Sequence, residues 1–487
     1  TRLNPGTSRN TGMAVLYSPR PIQISAGRDI ANLGLFIQHP DAAAVSTLEA
    51  GRDIIYPNAR TNEGQLQGNS REIEVAGAGN LILIAGRDID FQTAAGVTTS
   101  GDIENPALAE TGASVSLLAG LNGNTPDYDA FIDAYLLESD LYDEALLAFV
   151  ATFDGAPASS KDAALDTFRG FDRQTQLVLL ERVLFDELRA SGREAANPGD
   201  LNGDFTRGFD ALVTLFPGAN PDIESGEVNA FDGDIRLFFS RIYTLDGGDI
   251  QLIAPGGEVN AGLASPPTAF GIVKGPEDLG IVAQGVGDIN SVSFGDFAVN
   301  ESRVFAADGG NILVWSTRGD IDAGRGAKTA ISAPPPQVTI DPTDGSLQIV
   351  FPAALTGSGI QTIATSEGTE PGDVDLFAPR GVVNAGDAGI VAGNLTVAAV
   401  AVLGADNIDV SGVSIGVPVD TAVAPGLANV SAVASGAQQA AQDVVEPTGG
   451  EDDSDTPLAD AALGFLDVFI VSFGDCDPET GENCEAE

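Results

Sequence analysis

The sequence predicts an all-β solenoid, a right-handed parallel β-helix, and three observations lead to it. Residues 247–262 (GGDIQLIAPGGEVNAG), 309–324 (GGNILVWSTRGDIDAG) and 371–386 (PGDVDLFAPRGVVNAG) align without a gap, their starts 62 residues apart each time. Repeated short strand units mark a chain that stacks coils rather than packing a globule. Looser copies occur earlier, where Gly27-Arg28-Asp29-Ile30, Gly51-Arg52-Asp53-Ile54, Gly86-Arg87-Asp88-Ile89 and Gly101-Asp102-Ile103 each set Asp before Ile. Finally, Gly is abundant (59) and aromatic residues make up only 6%, which suits frequent turns around a narrow aliphatic core.

Each Gly-Asp-Ile unit reads as a turn followed by a strand. Gly takes a backbone angle that other residues resist, Asp bonds the turning backbone, and Ile starts the strand by pointing inward. Alternation gives inward columns Ile250/Ile312/Val374, Leu252/Val314/Leu376 and Ala254/Ser316/Ala378. A second short strand gives Val259/Ile321/Val383 and Ala261/Ala323/Ala385. The outward positions Ile253, Trp315 and Phe377 are apolar in register. Such a column needs cover, either a helix or loop of the same chain or a partner at an interaction face. At about 20 residues per coil, the 62-residue period corresponds to about three coils, or roughly 14 Å of advance.

Residues 1–124 therefore read as N-terminal β-helix coils, 125–198 as a helical insertion, and 199–415 as the main β-helix. Residues 416–487 read as an irregular tail with a linker, a terminal strand and a cysteine loop. The insertion starts with Thr125 as cap and Pro126 at the first position, with Phe131, Tyr135, Leu141 and Leu146 in helical spacing. A second helix from about Asp172 carries Leu177, Leu180, Leu184 and Leu188, and Gly192 suits its C-terminal cap. In the tail, GGEDDSD (449–455) is an acidic linker, and LDVFIVSF (466–473) is a strand able to fold back or to add to another molecule's edge.

Lys+Arg 23 against Asp+Glu 70 gives a net charge of −47. That excludes nucleic acid and anionic membranes as partners, because both require a basic footprint. A hydrophobic content of 43% excludes a wholly disordered chain. No run is long and apolar enough for a membrane helix, so the chain is not expected to be an integral membrane protein. The start lacks Met and a signal pattern, and the expectation is a processed or truncated piece of a longer precursor.

Chemistry is sparse. The single histidine, His39, beside Pro40, is expected at the surface, and no triad forms around it. Arg325 and Lys328 read as turn residues pairing with acids. Asp200-Leu201-Asn202-Gly203-Asp204 has the alternating oxygens of a calcium loop, but Phe205 and Ala211 stand where Gly and Glu belong. Calcium is therefore a weak candidate and no other cofactor is expected. Cys476 and Cys484, with seven residues between them, read as a small disulfide ring, the rival readings being free thiols or half a metal site. No catalytic set emerges, so the expectation is a non-enzyme.

Residues 171–196 (FDRQTQLVLLERVLFDELRASGREAA), 302–336 and 372–399 resemble the C-terminal region of filamentous-haemagglutinin-family proteins, in the same order, over most of 75–415. The resemblance implies a long exoprotein exported through an outer-membrane partner pore (two-partner secretion), folding outside the cell as a parallel β-helix. It implies an adhesin or surface fibre that meets a host-surface, matrix or carbohydrate receptor. Self-association into a filament or matrix, and a carbohydrate-active β-helix enzyme, are the alternatives. The family's N-terminal secretion domain is not recognisable here. Some relatives end in a cysteine pair that holds them in the pore, and Cys476 and Cys484 resemble it.

Overall fold

The computed structural model describes residues 14–418, apart from 61–65, 70, 103–104, 198–203, 223–228, 264–265, 267–271, 330, 333–336, 341–346, 351–354 and 367. The expected tail strand and both cysteines lie outside the described residues.

Inward aliphatic columns meet across successive turns of the chain, and the outcome is a parallel β-helix of three faces. Face A is a ten-stranded sheet running from Ala14–Ser18 through Arg241–Thr244 and Arg303–Ala307 to Ile408–Val410. Face B carries the longer strands of the second sheet, among them Val45–Ala50, Asn80–Ala85, Ser114–Leu118, Ile250–Ala254, Ile289–Ser293 and Ile312–Ser316. Face C carries two-residue strands such as Ile89–Asp90, Val259–Asn260 and Ile321–Asp322. Among the described residues the pairings between coils are parallel, for example Ile250↔Ile289↔Ile312↔Val374, with one register shift, between Ala378 and Val382. The inward columns lie in one continuous apolar core, including Leu252, Val314, Leu376, Val259, Ile321 and Val383 at 1% exposure or less. Ser316, the polar member of its column, is buried and donates its hydroxyl to the Gly295 carbonyl at 2.8 Å.

The Asp residues of the turns act between coils as well as within them. The backbone N–H of Asp234 donates to Asp88 Oδ1 (3.1 Å), that of Glu258 to Asp234 Oδ1 (2.8 Å), and that of Val382 to Asp320 Oδ1 (2.8 Å). A second ladder runs where face B begins, with Asp288 N–H on Asp249, Asn311 N–H on Asp288 and Asp373 N–H on Asn311, at 2.8–3.0 Å. Each carboxylate satisfies a backbone donor that the turn leaves unpaired. In the first coils Arg joins in: Arg52 clamps Asp29 through two bonds (2.7 and 2.6 Å), and Arg87 clamps Asp53 (2.8 and 2.7 Å).

Gly101 takes the expected positive φ (51°), but other glycines of these units have a different cause. Gly51 and Gly86 are absent from the left-handed region. A Cβ on Gly51 would instead lie 2.5 Å from the Gly27 carbonyl oxygen, and one on Gly86 2.2 Å from that of Gly51. Close stacking of one turn on the next excludes a side chain there.

The coil count is also corrected. From Ile250 to Ile312 the chain makes two coils, with steps of 39 and 23 residues, whereas Ile312 to Val374 is one coil of 62. That single coil contains an excursion with the antiparallel pairs Ile331–Ser332/Leu355–Thr356 and Gln337–Ile340/Leu347–Val350. Equal spacing therefore conceals unequal structure, because pairing fixes the ends of a coil and not its length.

Helices leave the solenoid after Ser114–Leu118. They are α1 (Tyr128–Ile132, continued by a π-turn at Asp133–Leu137), α2 (Asp143–Phe153), α3 (Lys161–Gly170), α4 (Arg173–Ala196) and α5 (Thr206–Leu215). The insertion thus runs to Leu215, past the expected 198. Asp127, rather than Thr125, caps α1, its carboxylate accepting from Ala130 N–H at 3.0 Å. The second helix begins at Asp172 as expected, and Asp172 caps α4 by accepting from Thr175 N–H at 2.8 Å. Gly192 is not a cap, since α4 continues through it to Ala196.

Gly192 lies where α4 crosses the Phe377 ring, and an added Cβ would fall 2.1 Å from that ring. Gly192→Ala should therefore lower the melting temperature: overpacking costs about 1–3 kcal/mol, against a helix-propensity gain of about 1 kcal/mol. In a Phe377→Leu background the same substitution should become neutral or stabilising. Melting curves of the four proteins check this, and an unchanged sign would refute the contact.

Candidate functional site

Two outward columns of face B meet the helices. One runs Ile84, Leu118, Ile253, Val292, Trp315 and Phe377, and the parallel register places each directly over the last. The other runs Ser116, Gln251, Asn290, Leu313 and Asp375. Ile253, Trp315 and Phe377, expected as a candidate interaction face, are each 0% exposed. They pack into an apolar cluster with Leu177, Leu180, Leu184 and Leu188 of α4 and Leu212 of α5. Of the two covers expected, helices of the same chain rather than a partner lie over these residues.

Aromatic geometry fixes the fit. Trp315 receives Phe205 and Phe209 edge-on, each at 5.6 Å between centroids, and Phe377 at 6.2 Å. Its indole N–H donates to Thr317 Oγ1 at 3.2 Å. Gly208 of α5 lies against the Trp315 ring, where a Cβ would come within 2.6 Å. Both helices thus have a glycine opposite a large ring of the solenoid. The signal for this was an isolated glycine inside a helical pattern.

Polar contacts fix the axial position of α4. Arg193 forms a fork on the buried Asp375 (2.9 and 2.8 Å), with Asp373 at 3.1 Å. Arg189 donates to Asn290 at 3.0 Å. Glu187, 4% exposed, accepts from Arg207 (2.6 and 2.9 Å) and from the Tyr142 hydroxyl. Near the other end, Glu181 is 1% exposed and accepts from the Ser116 hydroxyl at 2.7 Å. Burial pushes the Glu181 carboxyl up to about 8, the Ser116 bond opposing it. None of these groups could be picked out from the sequence, because each depends on which coil lies beneath it.

His39 is buried rather than exposed. Nδ1 donates to the Ala78 carbonyl (2.9 Å), and Nε2 accepts from Ser46 (2.7 Å). Burial lowers it to about 4, so it is a neutral link between coils. Lys328 donates to Asn407 Oδ1 at 2.9 Å. Of the weak calcium-loop candidate, Asp200 and Asn202 lie outside the described residues, and Asp204 accepts from Thr206 N–H. Among the described residues no three His, Cys, Asp or Glu side chains gather as metal ligands. No described helix is long and apolar enough to cross a membrane.

The geometry defines a class, a parallel β-helix with one face closed by its own helical insertion. Residues 309–419 match a family described as "Filamentous haemagglutinin family outer membrane protein". The matched stretch begins at the second of the three sequence copies and runs through the last coils. No curated protein and no solved structure matches the chain.

Glu181 sets a pH dependence. A carboxyl raised when folded contributes stability that is fully present below its unfolded value, near 4.5, and is lost as pH rises through about 8. Glu181→Gln should flatten the fall in melting temperature between pH 5 and pH 9, roughly one to three kcal/mol being at stake. Parallel pH profiles for both proteins would refute a buried, protonated Glu181.

Proposed function

We propose that the chain is part of an extracellular adhesive surface protein, the C-terminal portion of a filamentous-haemagglutinin-like fibre. The observation carrying this reading is the family match at 309–419 falling on the closing coils of a parallel β-helix. A stack of in-register coils satisfies its backbone internally and extends in one direction, which is what a surface stalk requires. In this reading an outer-membrane pore exports the chain, folding proceeds outside the cell, and the solenoid presents loops and helices to a host-surface or matrix receptor. The charge of −47 keeps such a rod soluble and away from anionic lipid.

Protease shaving of intact producing cells tests the location. The chain should be cleaved without lysis, and beads coated with it should adhere to host cells or matrix above an albumin control. Protection until lysis, or adhesion no greater than albumin, would sink the reading. Cys476 and Cys484 add a proposal about retention, a disulfide loop that keeps the chain at the surface. Cys476→Ser should move the protein from the cell fraction to the medium, and unchanged retention would remove that role.

A further inference from the structure

The corner where face A gives way to face B repeats one position from coil to coil. Pairing of Thr99 with Thr244, and of Thr244 with Ala283, puts Gly101, Asp246 and Gly285 in one column there. Pairing of Ala283 with Ala306 adds Asp308 to the same column. Its two aspartates have opposite surroundings. Asp308 accepts from the backbone N–H groups of Thr365 and Ser366 at 2.7 and 2.9 Å. It also accepts from the hydroxyls of Thr365, Ser366 and Thr369 at 2.7–3.1 Å. Burial works against ionisation there, yet these bonds hold the carboxyl down at about 2.

Asp246 has no such donors. Its Oδ2 is shut off from solvent without a hydrogen-bond partner, and no Lys, Arg or His pairs with it among the described residues. Burial pushes its carboxyl up to about 6, and the charge of the nearby Asp102 pushes the same way. Further oxygens surround the two acids. A Cβ on Gly101 would fall 3.2 Å from the Asp246 Cβ and 2.2 Å from the Glu110 carbonyl oxygen. Thr99 and Ser100, which lead into Asp102, are 0% and 5% exposed, and neither hydroxyl has a partner. The Thr99 hydroxyl faces Gly112, lying 3.1 Å from where a Cβ would stand, and Gly112 N–H donates to the Asp246 carbonyl at 2.9 Å.

Buried acids without a counter-charge take up a proton or a metal ion. An all-oxygen set of irregular geometry suits calcium, whereas magnesium demands a near-ideal octahedron and zinc favours nitrogen and sulfur. We infer that Asp102 and Asp246 bind a calcium ion at this corner, the Thr99 and Ser100 hydroxyls, the Glu110 carbonyl and water completing its shell. The ion would do for Asp246 what five donors do for Asp308, and it would tie the coil of Asp102 to the next. The site is separate from the loop at 200–204 and does not depend on the adhesin reading.

The test uses the full chain, stripped with EDTA and held in about 0.15 M NaCl to screen its general acidity. Calcium should raise the melting temperature by a few degrees, with a half-effect at about 10⁻⁴–10⁻³ M, and magnesium should do much less. Asp246→Asn and Asp102→Asn should each weaken that response about tenfold, since ligand charge sets the affinity of such sites. In EDTA both variants should melt above the parent, because the repulsion between the acids is gone. Asp166→Asn, at an exposed acid of α3, should keep the full response. No calcium response, an equal response to magnesium, or an undiminished response in the Asp246→Asn protein would each overturn the site. Variants that gain stability in EDTA while the parent ignores calcium would overturn it too, and would assign the pair a shared proton.

Discussion

An α-helix advances about 5.4 Å per turn, and a parallel coil about 4.8 Å per strand. Because these steps nearly match, a helix laid along the solenoid axis keeps a similar face over successive coils. Glu181 meets Ser116 on one coil, and Arg193 meets Asp375 four coils further on. Twelve helical residues span about 18 Å and four coils about 19 Å. The whole of α4, 24 residues, reaches from Val45–Ala50 to Leu395–Leu403. The remaining contacts of the covered face depend on this commensurate fit, including the glycines opposite Trp315 and Phe377.

The fit also explains where charge is tolerated. A side chain between face B and α4 is desolvated, so a carboxylate there needs a partner or a proton. Asp375 takes the first course through Arg193, and Glu181 takes the second. In the turns the opposite holds. Asp88, Asp234 and Asp320 are ordered by the backbone donors of the next coil and remain near water. Part of the acidity thus comes from residues that do the same structural task at successive coils.

What the sequence made legible was what repeats. Inward columns such as Ile250/Ile312/Val374 and the need to cover Ile253, Trp315 and Phe377 follow from alternation alone. The coil count was not legible, since the 62-residue spacing covers two coils in one span and one in the next. Gly192 was misread because a mid-helix glycine and a terminal one look alike until the opposing ring is known. His39 was misread for a related reason: its carbonyl partner Ala78 belongs to the next coil, and only pairing between coils brings the two together.

Register is indifferent to what lies between its strands. Leu117 pairs with Leu252 across the entire helical insertion as regularly as Leu252 pairs with Ser291 and Ser291 with Val314. Closing the longest of these spans instead of the shortest adds only about 1.5 kcal/mol of loop entropy, because the cost grows with the logarithm of length. A helical layer that buries an aromatic column recovers more than that, at about 1.5–3 kcal/mol per large apolar side chain. The coils can therefore stay nearly uniform while excursions between them change freely, and distinctive chemistry should gather where an excursion ends. The starts of α1 and α4 are such a place: the cover of face B runs out there, and Arg173 lies 5.2 Å from the Tyr128 ring centre while forking onto Asp129.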